Sequence, residues 1–538
     1  MTKTDDHQMQ IRCIQTSKLL TILKQHCKST AQIHQIHAQA ITRGLFSLYP
    51  TPLLTQILHS ITLFPSKTTT NNYPTNIFNL ISNPTTFNYN SVIRAHTLLS
   101  SPHNAFKFYT QMRRRSLRPD FYTYPFVLKA SGLLVNAILL SRTLHSELWK
   151  LGFLVDVYVG NALVCAYCKG GDVGGAYKVF DESSLRDVVS YNVMIDGFVK
   201  AGEIGRARVL FDEMPQRDAV SWGTLLAGYA KSNQCVEAIE LFDRMVALKV
   251  EFDNVAIVST LSACAQLGEL EKGKKIHVYI ERNGIILDSY LGTALVDLYA
   301  KCGCIEKAKE IFESCREKNV SLWNAMLIGF AMHGHGKLLL QYFLRMVESG
   351  VKPDGVTILG ALVGCSHSGL TDEARRIFKQ MESVYCVPRE LKHYGCMADL
   401  LGRSGLIYEA KEMIEEMPMG GDVFVWGGLL GGCKIHGNLE VAEEAAMNVM
   451  KVKPEDGGVY SVLAHMYANS QRWDDLVKIR KLRDCRWGVK KIAGCSLIEL
   501  NGITHEFVSG DCLHPFTREI YIVLNGLELQ HCEAIYPF

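Results

Sequence analysis

Long apolar runs are missing from this chain, although 48% of its 538 residues are hydrophobic. A stretch such as 358–365 stops far short of the roughly 20 apolar residues that a helix needs to cross a bilayer. We therefore expect no transmembrane helix and no membrane partner. The apolar content suits an extended core that is shared along the chain rather than one globular centre.

An excess of charge of either sign is also missing. The chain has 57 Lys and Arg against 54 Asp and Glu, which gives a formal net charge of +3. A marked basic excess is the usual electrostatic signature of nucleic-acid binding, so this balance counts against that function. A helical scaffold that binds proteins would show the same balance. The identity of the residues that line the binding surface must therefore distinguish a nucleic-acid-binding protein from a protein-binding scaffold.

The 17 cysteines lack the compact spacing of a disulfide framework, since they are spread over the whole length of the chain. Many of them fall inside segments with helical periodicity. We interpret them as reduced, buried, small apolar residues. The histidines and cysteines also lack metal-ligand spacing, so we expect neither a metal nor a cofactor.

Motifs for catalysis are scarce as well. No Gly-x-x-x-x-Gly-Lys-Ser loop is present, and the Gly-rich stretch 427–432 lacks the lysine that such a loop needs. The His-x-Glu at 145–147 and the Cys-x-x-Cys at 165–168 together imitate a deaminase zinc site, but Val164 stands where that site has proline. Both segments also align with other copies of an internal repeat. We therefore expect no enzyme and no catalytic residue.

The chain does have a unit of about 35 residues that recurs from about Thr86 to Lys490. Several copies open with an extended segment followed by Tyr-Asn, Trp-Asn or a related pair, as at 188–192, 219–223 and 320–324. Such self-similarity is typical of stacked supersecondary units that cannot bury their apolar faces alone.

Each repeat is predicted to form two helices. In the repeat 188–218, one apolar face runs from Tyr191 to Lys200, and Ala201-Gly202 interrupts it. Apolar residues then recur at helical spacing until Pro215 ends the second helix. One repeat is therefore a helical hairpin, and the sequence predicts an all-α fold, an α-solenoid of stacked hairpins.

The repeat lengths alternate in order, and this is the most specific signal. The copies at 86–120, 121–156 and 157–187 span 35, 36 and 31 residues, and similar lengths recur as far as 422. This alternation, with stretches such as Arg118-Pro119-Asp120 and 295–303, resembles the plant pentatricopeptide repeat (PPR) family, PLS subclass. The resemblance covers about 85–515 and implies a superhelix of helix-turn-helix repeats that binds single-stranded RNA.

The predicted organisation has four parts. An N-terminal region with degenerate repeats and a candidate targeting segment spans 1–85, and the repeat array spans 86–422. Two degenerate extension repeats follow at 423–490, and an extended tail spans 491–538. The region 423–490 resembles the degenerate extension repeats of the family, and the stretches 490–499, 505–507 and 510–515 resemble its extended tail. This E/E+ extension implies C-to-U editing of organellar RNA. The deaminase motifs that follow in many relatives do not occur before Phe538, so a DYW-type deaminase is expected in trans.

In the resembled family, the fifth and the last residue of each repeat together select one base. An amide offers a donor and an acceptor to a base edge, and a carboxylate accepts. Asn and Asp at these places are also ordinary helix-capping choices, but their recurrence in four repeats favours base reading. The predicted base-reading pairs are Asn90 with Asp120, Asn161 with Asp187, Asn192 with Asp218, Thr293 with Asn319, and Asn324 with Asp354.

The resemblance also implies a target register. Asn with Asp favours uridine over cytidine, and Thr with Asn favours adenosine, read 5′ to 3′ from the N-terminus. If the repeat 391–422 faces the fourth nucleotide upstream of the edited cytidine, the repeat 320–354 faces a uridine at about the sixth. Repeats with Pro125, Val258, Leu359, Gly223 or Gly395 at the fifth position lie outside this code.

The second residue of each repeat is a further candidate, since it offers an apolar or aromatic surface to a base face or packs in the core. These residues are Phe87, Tyr122, Tyr158, Val189, Val220, Val255, Tyr290 and Val356, and Ser321 departs from the pattern.

The sequence thus predicts a recognition factor for organellar C-to-U RNA editing. The alternatives are an RNA stabilisation or processing factor and a protein-binding scaffold. The expected location is the mitochondrion, with the chloroplast as the alternative, although Asp5 and Asp6 are unusual in a transit peptide.

Overall fold

The computed structural model describes residues 3–25, 27, 29–47, 50–64, 72–485, 495–500, 503–508 and 514–535. The chain divides into two compact units, Met1–Cys304 and Ile305–Phe538. Both units are built from pairs of helices, so the fold is the predicted all-α solenoid.

The described part of the first unit consists of helices, with single 3-10 turns at Leu45–Ser47 and Phe153–Val155. Its helices are α1 (Lys3–Gln25), α2 (Thr30–Thr42), α3 (Pro50–Leu63), α4 (Tyr73–Asn79), α5 (Thr86–Leu98), α6 (Pro102–Arg114), α7 (Tyr124–Ser131), α8 (Ala137–Leu151), α9 (Val157–Lys169), α10 (Val173–Glu182), α11 (Val188–Lys200), α12 (Ile204–Glu213), α13 (Ala219–Lys231), α14 (Cys235–Ala247), α15 (Asn254–Leu267), α16 (Leu270–Arg282) and α17 (Ser289–Lys301).

The second unit continues the same pattern and adds a two-stranded antiparallel hairpin. Its helices are α18 (Ile305–Ser314), α19 (Val320–Met332), α20 (Gly336–Glu348), α21 (Gly355–Ser368), α22 (Thr371–Gln380), α23 (Leu391–Arg403), α24 (Ile407–Glu415), α25 (Val423–His436), α26 (Leu439–Val452), α27 (Gly457–Asn469), α28 (Trp473–Cys485) and α29 (Thr517–Ile535). The hairpin joins β1 (Cys495–Leu500) to β2 (Ile503–Val508), with Leu500 opposite Ile503.

The repeat 188–218 shows how the sequence produces a helical hairpin. Asp187 lies just before α11 and accepts a hydrogen bond from the Ser190 amide, which satisfies a donor that the first turn leaves free. After α11 the chain turns at Gly202, whose φ of +79° is accessible to glycine at little cost. The second helix ends at Glu213, two residues before Pro215.

An aromatic side chain at the fourth residue of a repeat anchors the first helix to the second helix of the preceding one. Trp222 lies edge-on to Phe211 with 4.9 Å between ring centroids, and Trp323 contacts Phe312 in the same way at 4.7 Å. The same edge contact recurs in the pairs Tyr89 with Phe78, Tyr191 with Phe180, and Tyr394 with Phe378. This contact fixes the rotation of the first helix about its own axis. It therefore also fixes the direction in which the side chain of the fifth residue points.

Candidate nucleic-acid interface

The fifth residue of four repeats forms a hydrogen bond with the residue that ends the same repeat. Each Asn donates from Nδ2 to Oδ1 of its Asp, at distances between 2.9 and 3.3 Å. The pairs are Asn90 with Asp120, Asn161 with Asp187, Asn192 with Asp218, and Asn324 with Asp354. The structure therefore brings together four of the five pairs that the sequence singles out.

In three of the four pairs the Asp also caps the next helix, the exception being Asp120, so the two interpretations of the Asp are compatible. Asp218 accepts from the Ser221 amide at 2.8 Å, and Asp354 accepts from the Thr357 amide at the same distance. All these bonds end on Oδ1. The carboxylate is held in one orientation by its cap, and Oδ2 takes no part in these bonds.

The charge of two of the paired carboxylates is secured by the same bonds. Burial raises the pKa of Asp218, but hydrogen bonds from Ser221 and Asn192 outweigh burial and leave that pKa below its usual value. Asp354 shows the same balance, with Thr357 and Asn324 as donors. These two groups therefore remain ionised at neutral pH. Their contribution to stability is present above the ordinary Asp pKa and is lost as the pH falls through the lowered one.

A hydroxyl at the third residue of the following repeat completes two of the pairs, and the sequence analysis missed it. Thr123 Oγ1 lies 2.6 Å from Asn90 Oδ1, and Thr357 Oγ1 lies 2.6 Å from Asn324 Oδ1. In these two repeats, both ends of the amide are therefore held. The Asp-x-x-Thr spacing was the available signal, although it also reads as an ordinary helix start.

Serine at the same position behaves differently. The Ser221 hydroxyl lies 2.7 Å from Asp218 Oδ1, and it does not reach the amide of Asn192. Asn192 Oδ1 is buried and has no hydrogen-bond partner among the described residues. Because a buried, unpaired acceptor costs free energy, this oxygen favours a ligand that donates to it.

The fifth predicted pair, Thr293 with Asn319, has one member in each structural unit. The Thr293 hydroxyl donates to the Ser289 carbonyl oxygen at 2.6 Å. Asn319 caps α19 by accepting from the Leu322 amide at 2.9 Å. Base reading by this pair stays a prediction.

The second residues of the repeats are half-exposed apolar and aromatic side chains in both units. Their exposed fractions lie between 42% and 72%, so they do not pack in the core. Each lies within two residues of a helix-capping residue and three residues before a fifth residue. The members are Phe87, Tyr122, Tyr158, Val189, Val220, Val255, Tyr290 and Val356, and Phe424 occupies the equivalent place after the repeat 391–422.

The residues that imitate a zinc site serve packing instead. His145 Nδ1 bonds the Tyr167 hydroxyl at 3.0 Å, and Glu147 accepts from the hydroxyls of Tyr109 and Tyr124. Burial raises the pKa of Cys168 to about 12, which opposes the thiolate form that zinc requires. Within the described ranges, no three His, Cys, Asp or Glu side chains are grouped to hold a metal ion.

None of the described helices has the length and hydropathy of a membrane span.

Comparison with known proteins matches most of the repeats to one family. The model described as PPR repeat matches 87–117, 161–187, 220–250, 293–320, 321–351, 362–386 and 392–421. A PPR repeat family model matches 186–219, and an E motif model matches 436–499.

Full-length relatives agree with these matches. The pentatricopeptide repeat-containing protein At5g61800 of Arabidopsis thaliana is 54% identical over 484 residues, which are 88% of this chain and 97% of the relative. The chloroplastic pentatricopeptide repeat-containing protein At1g08070 of the same plant is 39% identical, over 94% of this chain and 82% of its own. The crystal structure of the maize protein PPR10 with an 18-nt psaJ RNA element aligns over 88% of this chain and 85% of its own, with 15% identity and a TM-score of 0.44. This chain therefore belongs to the pentatricopeptide repeat family and carries an E motif after its repeats.

Proposed function

We propose that this protein binds single-stranded organellar RNA in a sequence-specific manner and selects a cytidine for C-to-U editing. The observation that carries the proposal is the recurrence of one geometry in four repeats. An Asn amide and an Asp carboxyl are hydrogen-bonded to each other at the same two positions, beside a half-exposed apolar side chain. A protein-binding scaffold has no need for an identical polar pair at the fifth and the last position of repeats that differ in length.

The pair is chemically suited to a pyrimidine edge. An Asn that donates one N–H to Asp keeps its second N–H for a base oxygen, and Oδ2 of the Asp can accept from a base N–H or from a bridging water. The half-exposed apolar residues offer surfaces on which base faces stack, which tolerates any base. Selectivity then comes from the pair and affinity largely from stacking. This division of roles accounts for RNA binding by a chain whose net charge is only +3.

Editing, rather than RNA binding alone, is proposed because the E motif follows the repeats. The deaminase would be supplied by a DYW-type partner protein in trans. We place the protein in an organelle, the mitochondrion or the chloroplast, and the At1g08070 relative is named as chloroplastic. The alternative, an RNA stabilisation or processing factor, would use the same pairs without a deaminase.

A plant line that lacks the protein tests the editing role. We expect one or a few organellar cytidines to remain unedited, with the predicted uridine about six nucleotides upstream of each. Deep sequencing of organellar transcripts measures this. A line in which every editing site is normal but a transcript end is lost would favour the processing factor.

Loss of the Thr357 hydroxyl should loosen the amide that it holds. In Thr357→Val, we expect discrimination between uridine and cytidine at the base facing Asn324 to fall about fivefold, because one hydrogen bond contributes roughly 1 kcal/mol. Thr357→Ser keeps a hydroxyl and should retain more of the discrimination. Competition binding with the two RNAs measures the ratio.

Ser221→Val is the matched control for this prediction, because Ser221 caps its helix without contacting Asn192. The Ser221→Val substitution removes the same kind of capping hydrogen bond as Thr357→Val. We expect the discrimination between uridine and cytidine by the repeat 188–218 to be unchanged. Equal losses in Thr357→Val and Ser221→Val would show that the hydroxyl acts only through the cap.

A further inference from the structure

The repeat 391–422 has the Asp of a base-reading pair but no partner for it. Asp422 caps α25 by accepting from the amides of Phe424 and Val425, at 3.0 and 2.9 Å. The fifth residue is Gly395, which has no side chain to reach the carboxylate. The third residue of the next repeat, Val425, is buried and brings no hydroxyl. Every polar group of the other pairs except the carboxylate is therefore absent here.

The ring of Phe424 occupies the place of the missing fifth side chain. A Cβ added to Gly395 would lie 2.2 Å from Cδ1 of Phe424 and 2.5 Å from Cε1. The ring thus rests directly on the backbone of α23, and only glycine at 395 allows this contact. Even so, 58% of the Phe424 side chain is exposed.

An open cavity of about 610 Å³ lies beside this ring, between α21, α23 and α25. Its polar wall includes Ser366 and Asp399, which are hydrogen-bonded to each other at 3.1 Å. Its volume lies within the range of small-molecule sites in proteins. Gly395 and Gly427 also line the cavity, so it lacks the side chains that would fill it.

We infer that the repeat 391–422 holds its nucleotide by stacking the base on Phe424, over this cavity, without reading the identity of the base. The inference rests on the proposed RNA-binding function. Stacking on an aromatic ring contributes about 1–3 kcal/mol per base and tolerates all four bases, since each has a π-face. The facing nucleotide is the second one 3′ of the uridine that faces Asn324, at one nucleotide per repeat.

The first test measures binding of the full chain to RNAs that carry each of the four bases, or an abasic site, at this nucleotide. We expect the four bases to bind within about threefold of each other and the abasic RNA about tenfold more weakly. Phe424→Ala should lose about tenfold with the normal RNA and nothing further with the abasic one. Phe424→Tyr should bind as the unchanged protein does. Thermal unfolding of both variants shows whether the fold is kept.

The second test restores a pair in this repeat. Gly395→Asn alone places an Asn opposite Asp422, but the Phe424 ring blocks its Cβ, so we expect no preference for uridine. Gly395→Asn combined with Phe424→Val, which installs the residue type of other repeats, should produce a uridine preference of about tenfold. A uridine preference in the single variant would overturn the inference.

The inference and the proposed function fail in distinguishable ways. If Asn324→Ala and a changed base opposite it have no effect, the proposed RNA readout is wrong. If both have their effect but the abasic site at the Phe424 position costs nothing, the readout stands and only the stacking inference is wrong.

Discussion

Replacing Asn324 with Ala should weaken binding about tenfold to an RNA with uridine at the facing position. The substitution removes the amide that bonds both Asp354 and Thr357, while the Asp354 cap of α21 remains. A good base contact contributes roughly 1–3 kcal/mol, and 1.4 kcal/mol is a factor of ten. Equilibrium binding of the purified chain to a labelled single-stranded RNA measures the loss.

Two controls separate base reading from a general loss of affinity. Asn254 is exposed at the first position of α15, outside any pair, and Asn254→Ala should bind normally. Changing the facing uridine to guanosine should cost the unchanged protein about as much as Asn324→Ala does, and the two changes together should cost little more. Full additivity of the two losses would mean that Asn324 does not contact this base.

Gly432→Ala should destabilise the second unit markedly. A Cβ at Gly432 would lie 2.4 Å from Cα of Gly402 and 2.6 Å from its carbonyl carbon. These are backbone atoms of α23, so the clash cannot be relieved by moving a side chain, and α23 and α25 must separate. Overpacking of this kind costs about 1–3 kcal/mol. The midpoint of urea unfolding, followed by circular dichroism, should fall.

A second glycine of α25 offers a control in which the change in stability should have the opposite sign. Gly431 has open space where its Cβ would lie, so Ala fits there without a clash. Alanine in a helix interior is favoured over glycine by about 0.5–1 kcal/mol, and Gly431→Ala should therefore raise the midpoint. Equal midpoints for the two variants would contradict the close packing of α23 against α25.

The sequence alone predicted the solenoid because the features that define it are local. The helix breaks at glycine and the capping Asp act within a few residues of their own position, and the aromatic fourth residue contacts the helix directly before its own. The side-chain pairing of Asn192 with Asp218 could be anticipated for another reason, since Asn and Asp recur at the fifth and the last position of four repeats. Periodicity carries such information directly.

Contacts that depend on how closely two helices approach could not be predicted from the sequence. Gly395 and Phe424 lie 29 residues apart, and nothing in either segment indicates that the ring covers the glycine. The hydroxyl bond of Thr357 to Asn324 spans two repeats in the same way. The hairpin of β1 and β2 is a local addition to the helical fold, and its segment was recognised only as a family tail.

The central claim is that each Asn–Asp pair reads one base, and a change of code tests it most directly. Asn324→Thr combined with Asp354→Asn gives the repeat 320–354 the residues of Thr293 and Asn319, and Asn remains a good helix cap. Binding of both proteins to four RNAs that differ only at the facing nucleotide should show a switch of preference from uridine to adenosine. A uniform loss with all four RNAs, or an unchanged preference for uridine, would contradict the account.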